Sequence, residues 1–137
     1  MSMKRIAKTF LPALALTLAS LAFGAGVAHA GPKHENFTTE RYEQLQQEEA
    51  VFMVEVWASW CSTCRAQGKA LETLQQEEQF ADVTILRLDW DEQKDEAGKL
   101  NAWRQSTLIM NKGDKEMARV VAETREANLR SFMESGL

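Results

Sequence analysis

The sequence predicts one α/β domain built on a central mixed sheet of four to five strands flanked by helices. Three observations carry this. Val51–Trp57 is apolar enough for a strand buried on both faces, a helical pattern follows it directly, and Val83–Leu88 forms a second apolar, β-branched run. Strand, helix and strand in that order make a βαβ unit, whose two strands run parallel. The 137 residues allow one substantial core and not two.

The elements follow in chain order. Lys4, Arg5 and Lys8 precede the charge-free stretch Leu11–Val27, which closes on Ala28-His29-Ala30, small residues at both recognition positions of a signal-peptidase site. Residues 1–30 are therefore expected to be a cleaved signal peptide and residues 31–137 the domain, exported to the periplasm with no stable membrane insertion after cleavage. A membrane anchor is the competing reading, but Pro12, Gly24 and Gly26 dilute a stretch already near the lower limit of about 17 residues for a span. Gly31–Asn36 reads as a short flexible lead-in. Thr38 is a candidate N-cap, with Phe37 and Tyr42 placed to form a hydrophobic staple, opening a helix over Thr39–Glu48. Ala66, Ala70, Leu71 and Leu74 recur at helical spacing in a helix from Ser62 to about Glu78. After the polar stretch Asp89–Glu96, a short helix is expected around Ala97–Trp103. Thr107–Met110 and Met117–Val121 read as strands joined by the turn-forming Lys112-Gly113-Asp114. Thr124 is the expected N-cap of a last helix with Leu129, Phe132 and Met133 on its apolar face.

Composition excludes several classes. Apolar residues at 45% and charged residues at 26% argue against disorder or a multi-span membrane protein. Loss of the leader removes three of the 16 basic residues and none of the 20 acidic ones, so the remaining domain carries −7. Such a chain has no basic stripe for phosphates, and nucleic acid is not an expected partner.

The chemistry is expected at Cys61-Ser62-Thr63-Cys64, where the first βαβ strand gives way to its helix. Unpaired N–H groups and the positive dipole end of a helix N-terminus favour an anion, so Cys61 is the expected attacking thiolate. Cys64, one turn further in and shielded, can attack back and resolve a mixed disulfide. A closed zinc site within one chain lacks ligands, since His34 is the sole histidine of the exported domain. A purely structural disulfide is the plainer alternative, although so short a loop removes little chain entropy. Glu55 breaks the buried strand. An unpaired carboxylate there costs several kcal/mol, so it is expected to act as a base toward Cys64 or to pair with Arg87 on the neighbouring strand.

These residues resemble the thioredoxin family from about Phe37 to the end. Val54-Glu55-Val56-Trp57-Ala58-Ser59-Trp60-Cys61 is similar to the family's strand and active-site entry, with Glu55 at its buried acidic position and Trp60 before the first active cysteine. Leu88-Asp89-Trp90-Asp91 resembles the end of the next strand, Arg87 falls where a lysine often accompanies the buried acid, and Lys112-Gly113-Asp114 resembles the last turn. The resemblance implies a thioredoxin-like fold and a thiol–disulfide oxidoreductase, with Cys61, Cys64 and Glu55 catalytic and Trp60, Ser106 and Thr107 toward the substrate. It implies protein thiols and disulfides as partners, a further redox protein to reset the pair, no organic cofactor and a monomer. Ser106 departs from the pattern by standing where the family has a cis-proline before a threonine, and a cis bond before serine would cost about 2.5–4 kcal/mol, so a trans bond is expected. Ser106 can keep part of the substrate edge, place a hydroxyl near the sulfurs, or be an ordinary loop residue. Ser62-Thr63 differs from the family's glycine-proline pair and leaves the redox poise open, though reduction of selected partners is favoured over broad oxidation. Two other readings stand: a binding or chaperone-like module with a static or slowly cycling disulfide, and an intermolecular metal or cluster site to which two chains each give Cys61 and Cys64.

Overall fold

The computed structural model describes residues 33–137, and the expected leader over residues 1–30 lies outside the described residues. In chain order the elements are β1 (Lys33–Asn36), α1 (Thr39–Gln47), β2 (Val51–Trp57), α2 (Ser62–Leu74), a 3₁₀ turn (Glu78–Phe80), β3 (Thr84–Asp89), α3 (Lys94–Lys99), β4 (Thr107–Lys112), β5 (Lys115–Val121) and α4 (Glu126–Glu134). The five strands form one mixed sheet in the order β1-β3-β2-β4-β5. β1 and β2 flank β3 in parallel, while β4 pairs antiparallel with both β2 and β5.

β2 is central, and its apolar run, broken only by Glu55, serves two cores at once. Phe52, Val54 and Val56 enter the core shared with Leu45 of α1, Leu86 and Leu88 of β3, and Ala97 of α3. Met53 enters the opposite core, with Leu71 and Leu74 of α2 and Leu129, Phe132 and Met133 of α4. Side chains alternate between faces along a strand, so Glu55 shares the Met53 face, the one covered by α2.

The helix ends show what stops each element. At α1 the Thr38 hydroxyl accepts the Arg41 N–H at 3.1 Å, and the Phe37 and Tyr42 ring centroids, 5.7 Å apart, close the expected staple. The other end of α1 has Glu49 in the left-handed region at φ +53, with the Glu49 and Ala50 N–H groups returning to the Gln46 and Leu45 carbonyls at 3.1 and 3.0 Å. Asn101, also at φ +53, ends α3 in the same way, with bonds from Asn101 and Ala102 to Gly98 and Ala97.

Four expectations are corrected. The lead-in is not free: Lys33–Asn36 is an edge strand in register with Thr84–Arg87. α2 ends at Leu74, short of Glu78, because no apolar residue follows until Phe80, which the 3₁₀ turn delivers to the core. α3 lies earlier than Ala97–Trp103. Arg125, not Thr124, is the N-cap of α4 and makes no side-chain cap bond, while the Glu123 carboxylate accepts the Thr124 and Arg125 N–H groups at 3.0 and 2.9 Å and fixes the chain just before the helix. Gly113, at φ +57, forms the β4–β5 turn where glycine alone is unstrained. Among the described residues no helix is long and apolar enough to cross a membrane.

Candidate active site

The end of β2 and the start of α2 are joined by Ala58–Trp60, which carries the chain over the sheet edge so that Cys61 becomes the N-cap of α2. Its backbone is extended, and its sulfur accepts the Cys64 N–H at 3.1 Å, as a capping oxygen would. Cys61 and Cys64 are bonded to each other as a disulfide with their Cα atoms 5.3 Å apart. Both sulfurs are sheltered, the residues being 4% and 1% exposed, and Ala58, Trp57 and Trp90 pack around them. The helix end directs its N–H groups and dipole at Cys61, while Cys64 lies one turn inward, so negative charge is better held on the former.

Ser106 reaches the pair from the opposite side. Its hydroxyl is 3.1 Å from Cys61 Sγ and 3.3 Å from Cys64 Sγ, at a residue only 1% exposed. The chain passes here with φ +63 and a trans Gln105–Ser106 bond, no cis peptide occurring among the described residues. Its backbone is held twice, the N–H donating to the Val56 carbonyl at 2.8 Å and the carbonyl accepting the Ala122 N–H at 2.9 Å.

Glu55 is fully buried and accepts Arg87 Nε at 2.8 Å through Oε2, while Oε1 is buried with no hydrogen-bond partner among the described residues. The Arg87 side chain is 35% exposed and its guanidinium lies 5.0 Å from the Trp57 ring centroid, so the pair spans the interior and the surface. Trp60 is exposed beside the cysteines, with its indole N–H donating to Asp91 Oδ2 at 2.8 Å. Thr107 is buried, and its hydroxyl is committed to the Arg104 carbonyl at 2.8 Å. Ser106 thus joins the sulfurs directly, Glu55 lies on the α2 face with Arg87, and Trp60 and Thr107 are turned to other partners.

Two residues of the site were not anticipated. Gln67 is fully buried in α2 and donates through Nε2 to the Ser106 carbonyl at 3.2 Å, with its Oε1 unpaired. Its signal was present: it lies on the stripe Cys64, Gln67, Leu71, Leu74, one polar residue on an otherwise inward apolar face. Asp91, which fixes the Trp60 ring, had no such signal. Among the described residues no group of three or more His, Cys, Asp or Glu side chains is placed to hold a metal ion.

The family model described as Thioredoxin matches residues 33–135. Thioredoxin-2 of Saccharomyces cerevisiae is 38% identical over 69 residues, covering 50% of this chain and 64% of that one, and Thioredoxin H2 of Arabidopsis thaliana is 27% identical over 85 residues, 62% of each. The chain therefore spans less than two thirds of the length of these two relatives. Against the thioredoxin of Alicyclobacillus acidocaldarius the match is 28% over 102 residues, covering 71% of this chain and 95% of the relative. In three dimensions the chain is similar to Trxlp from Edwardsiella tarda, with a TM-score of 0.71 and 28% identity over 74% of this chain and 98% of the other.

Proposed function

This chain belongs to the thioredoxin family and has its mixed-sheet fold, and from that premise we propose that it is an exported, periplasmic thiol–disulfide oxidoreductase that reduces selected protein disulfides. The observation that carries the proposal is the sulfur pair itself: Cys61 caps α2 with its own Sγ and is bonded to a Cys64 sheltered one turn behind.

In the reduced protein the Cys61 thiolate attacks one sulfur of a substrate disulfide. A bond forms from Cys61 to the substrate, the substrate S–S bond breaks, and the first substrate thiolate departs to take a proton from solvent. Cys64 then gives its proton to a base and attacks Cys61 Sγ, forming the intrachain disulfide and releasing the second substrate thiolate. Two electrons pass to the substrate, whose two thiols collect two protons, and no organic cofactor enters. Glu55 is the proposed base, supported by its place on the α2 face and by an Oε1 that has no hydrogen-bond partner among the described residues. The exposed Trp60 ring and the backbone at Ser106 and Thr107, rather than the buried Thr107 side chain, are the proposed meeting points for the substrate chain. A separate redox protein returns the pair to its dithiol form, and the domain acts as a monomer.

Reduction of insulin disulfides with a chemical reductant as electron source tests the reading. Wild type turns over, and Cys61→Ser loses turnover by at least two orders of magnitude; Cys64→Ser instead accumulates a mixed disulfide with the substrate. The burial of both sulfurs favours a second reading, a binding module with a static disulfide, and turnover that is absent in wild type decides for it.

A further inference from the structure

We propose that Ser106 is a further catalytic residue beside Cys61, Cys64 and Glu55, its hydroxyl acting as one shared hydrogen-bond donor that follows the negative charge between Cys61 and Cys64. The inference rests on the oxidoreductase reading and adds a residue to that site.

Donor counting supplies the first step. In the disulfide neither sulfur carries a hydrogen, so in both short contacts, 3.1 Å to Cys61 and 3.3 Å to Cys64, the donor is the Ser106 O–H. A hydroxyl has a single hydrogen and serves one sulfur at a time, and the two distances are nearly equal. After reduction the Cys61 thiolate is the stronger acceptor and takes the bond. The oxygen lone pairs are then free to accept the Cys64 S–H, giving a chain from Cys64 through Ser106 to the Cys61 sulfur. When Cys64 has lost its proton and carries the charge, the O–H turns to it. Ser106 neither gives up its proton nor forms a covalent bond; it rotates.

The position of this hydroxyl is fixed by its backbone. Ser106 N–H is held by Val56, and its carbonyl by both the Ala122 N–H and the Gln67 side chain. A carbonyl can only accept, which sets the Gln67 amide nitrogen on this side. The residue also occupies φ +63, where glycine would be unstrained and serine is not. What serine adds over glycine here is a donor that reaches both sulfurs.

The test compares full-length wild type with Ser106→Ala and Ser106→Gly. Each is reduced and its Cys61 alkylated with iodoacetamide across a pH series, read by mass spectrometry, and each Cys61–Cys64 potential is measured against glutathione. Loss of a hydrogen bond to a charged sulfur is expected to move the alkylation profile to higher pH in both variants, about tenfold slower at a fixed pH below the midpoint. The reduced form is destabilised, so the potential becomes more negative by about 30 mV, the same tenfold in the equilibrium. Ser106→Gly relieves the backbone while Ser106→Ala does not, so equal thiol shifts with unequal melting temperatures assign the effect to the hydroxyl. Profiles and potentials that overlay those of a wild type active on insulin overturn the role of Ser106 and leave the oxidoreductase reading standing. A wild type whose Cys61 alkylates like a free thiol and does not reduce insulin overturns both.

Discussion

At Gly68 and Gly136 one substitution has opposite expected signs. A Cβ built on Gly68, inside α2, meets nothing within 4 Å, so Gly68→Ala gains helix propensity and is expected to stabilise by about 0.5–1 kcal/mol. A Cβ on Gly136 falls 2.5 Å from the movable Met110 Cε but also 3.0 Å from Met110 Cγ and 3.2 Å from Val51 Cγ1, which have less room to give, so Gly136→Ala overpacks the core and is expected to cost about 1 kcal/mol. Urea midpoints of the two variants decide it, and a shared sign would contradict the packing described. The buried pair is asymmetric in a similar way. Arg87→Ala strands a carboxylate that is fully buried and is expected to cost about 3–5 kcal/mol. Glu55→Gln costs less, because glutamine still accepts from a guanidinium that water already reaches; equal small losses in urea unfolding would mean that the pair contributes little. At this scale the sequence disclosed what local chemistry marks: two cysteines at a strand-to-helix junction and a carboxylate in an apolar strand. A Ser106 hydroxyl near the sulfurs was one of three readings the sequence left open; which of them holds was not legible, since it depends on where a loop more than forty residues away in sequence comes to rest.

Among the elements, the ends were harder to read than the middles. Glu49 follows α1 in the left-handed conformation with both capping bonds made, a position that glycine usually fills. Its side chain is exposed and supports nothing, so Glu49→Gly exchanges backbone strain of about 1–2 kcal/mol for about 0.4–1 kcal/mol of unfolded-chain entropy. A net gain on the order of 0.5 kcal/mol is expected, seen as a higher urea midpoint; a lower one would show that the left-handed turn is not strained. β2, α2 and β3 were legible because each buries an unbroken or periodic apolar set. β1 was not, because Lys33-His34-Glu35-Asn36 has no hydrophobic alternation and exists as a strand only by pairing with the open edge of β3. Its charges suit an edge, where they discourage further strand addition. Thr124 misled because it stands one residue before the N-cap, where the Glu123 carboxylate accepts the Thr124 and Arg125 N–H groups and fixes the chain's approach to the helix.

For the molecule as a whole, carboxylates paired with arginines tie elements together. Glu35 on β1 takes a two-pronged bond from Arg41 of α1 at 2.7 and 3.1 Å, and Glu116 takes one from Arg119, which also reaches the Leu100 and Asn101 carbonyls after α3. These hydrogen bonds hold both carboxyls below the ordinary carboxylate range. A carboxyl whose folded value is depressed contributes stability above its unfolded value, and that contribution disappears as pH falls through the folded one. Urea midpoints are therefore expected to be level above about pH 5 and to decline below about pH 4; a midpoint that rises on acidification would rule these ties out. The decline is shallow, because both pairs are partly in water. The sheltering of the disulfide has a consequence for what can reach it. With 4% of the Cys61 residue's surface open, only a narrow probe touches its sulfur, so girth screens any reagent before reactivity ranks it.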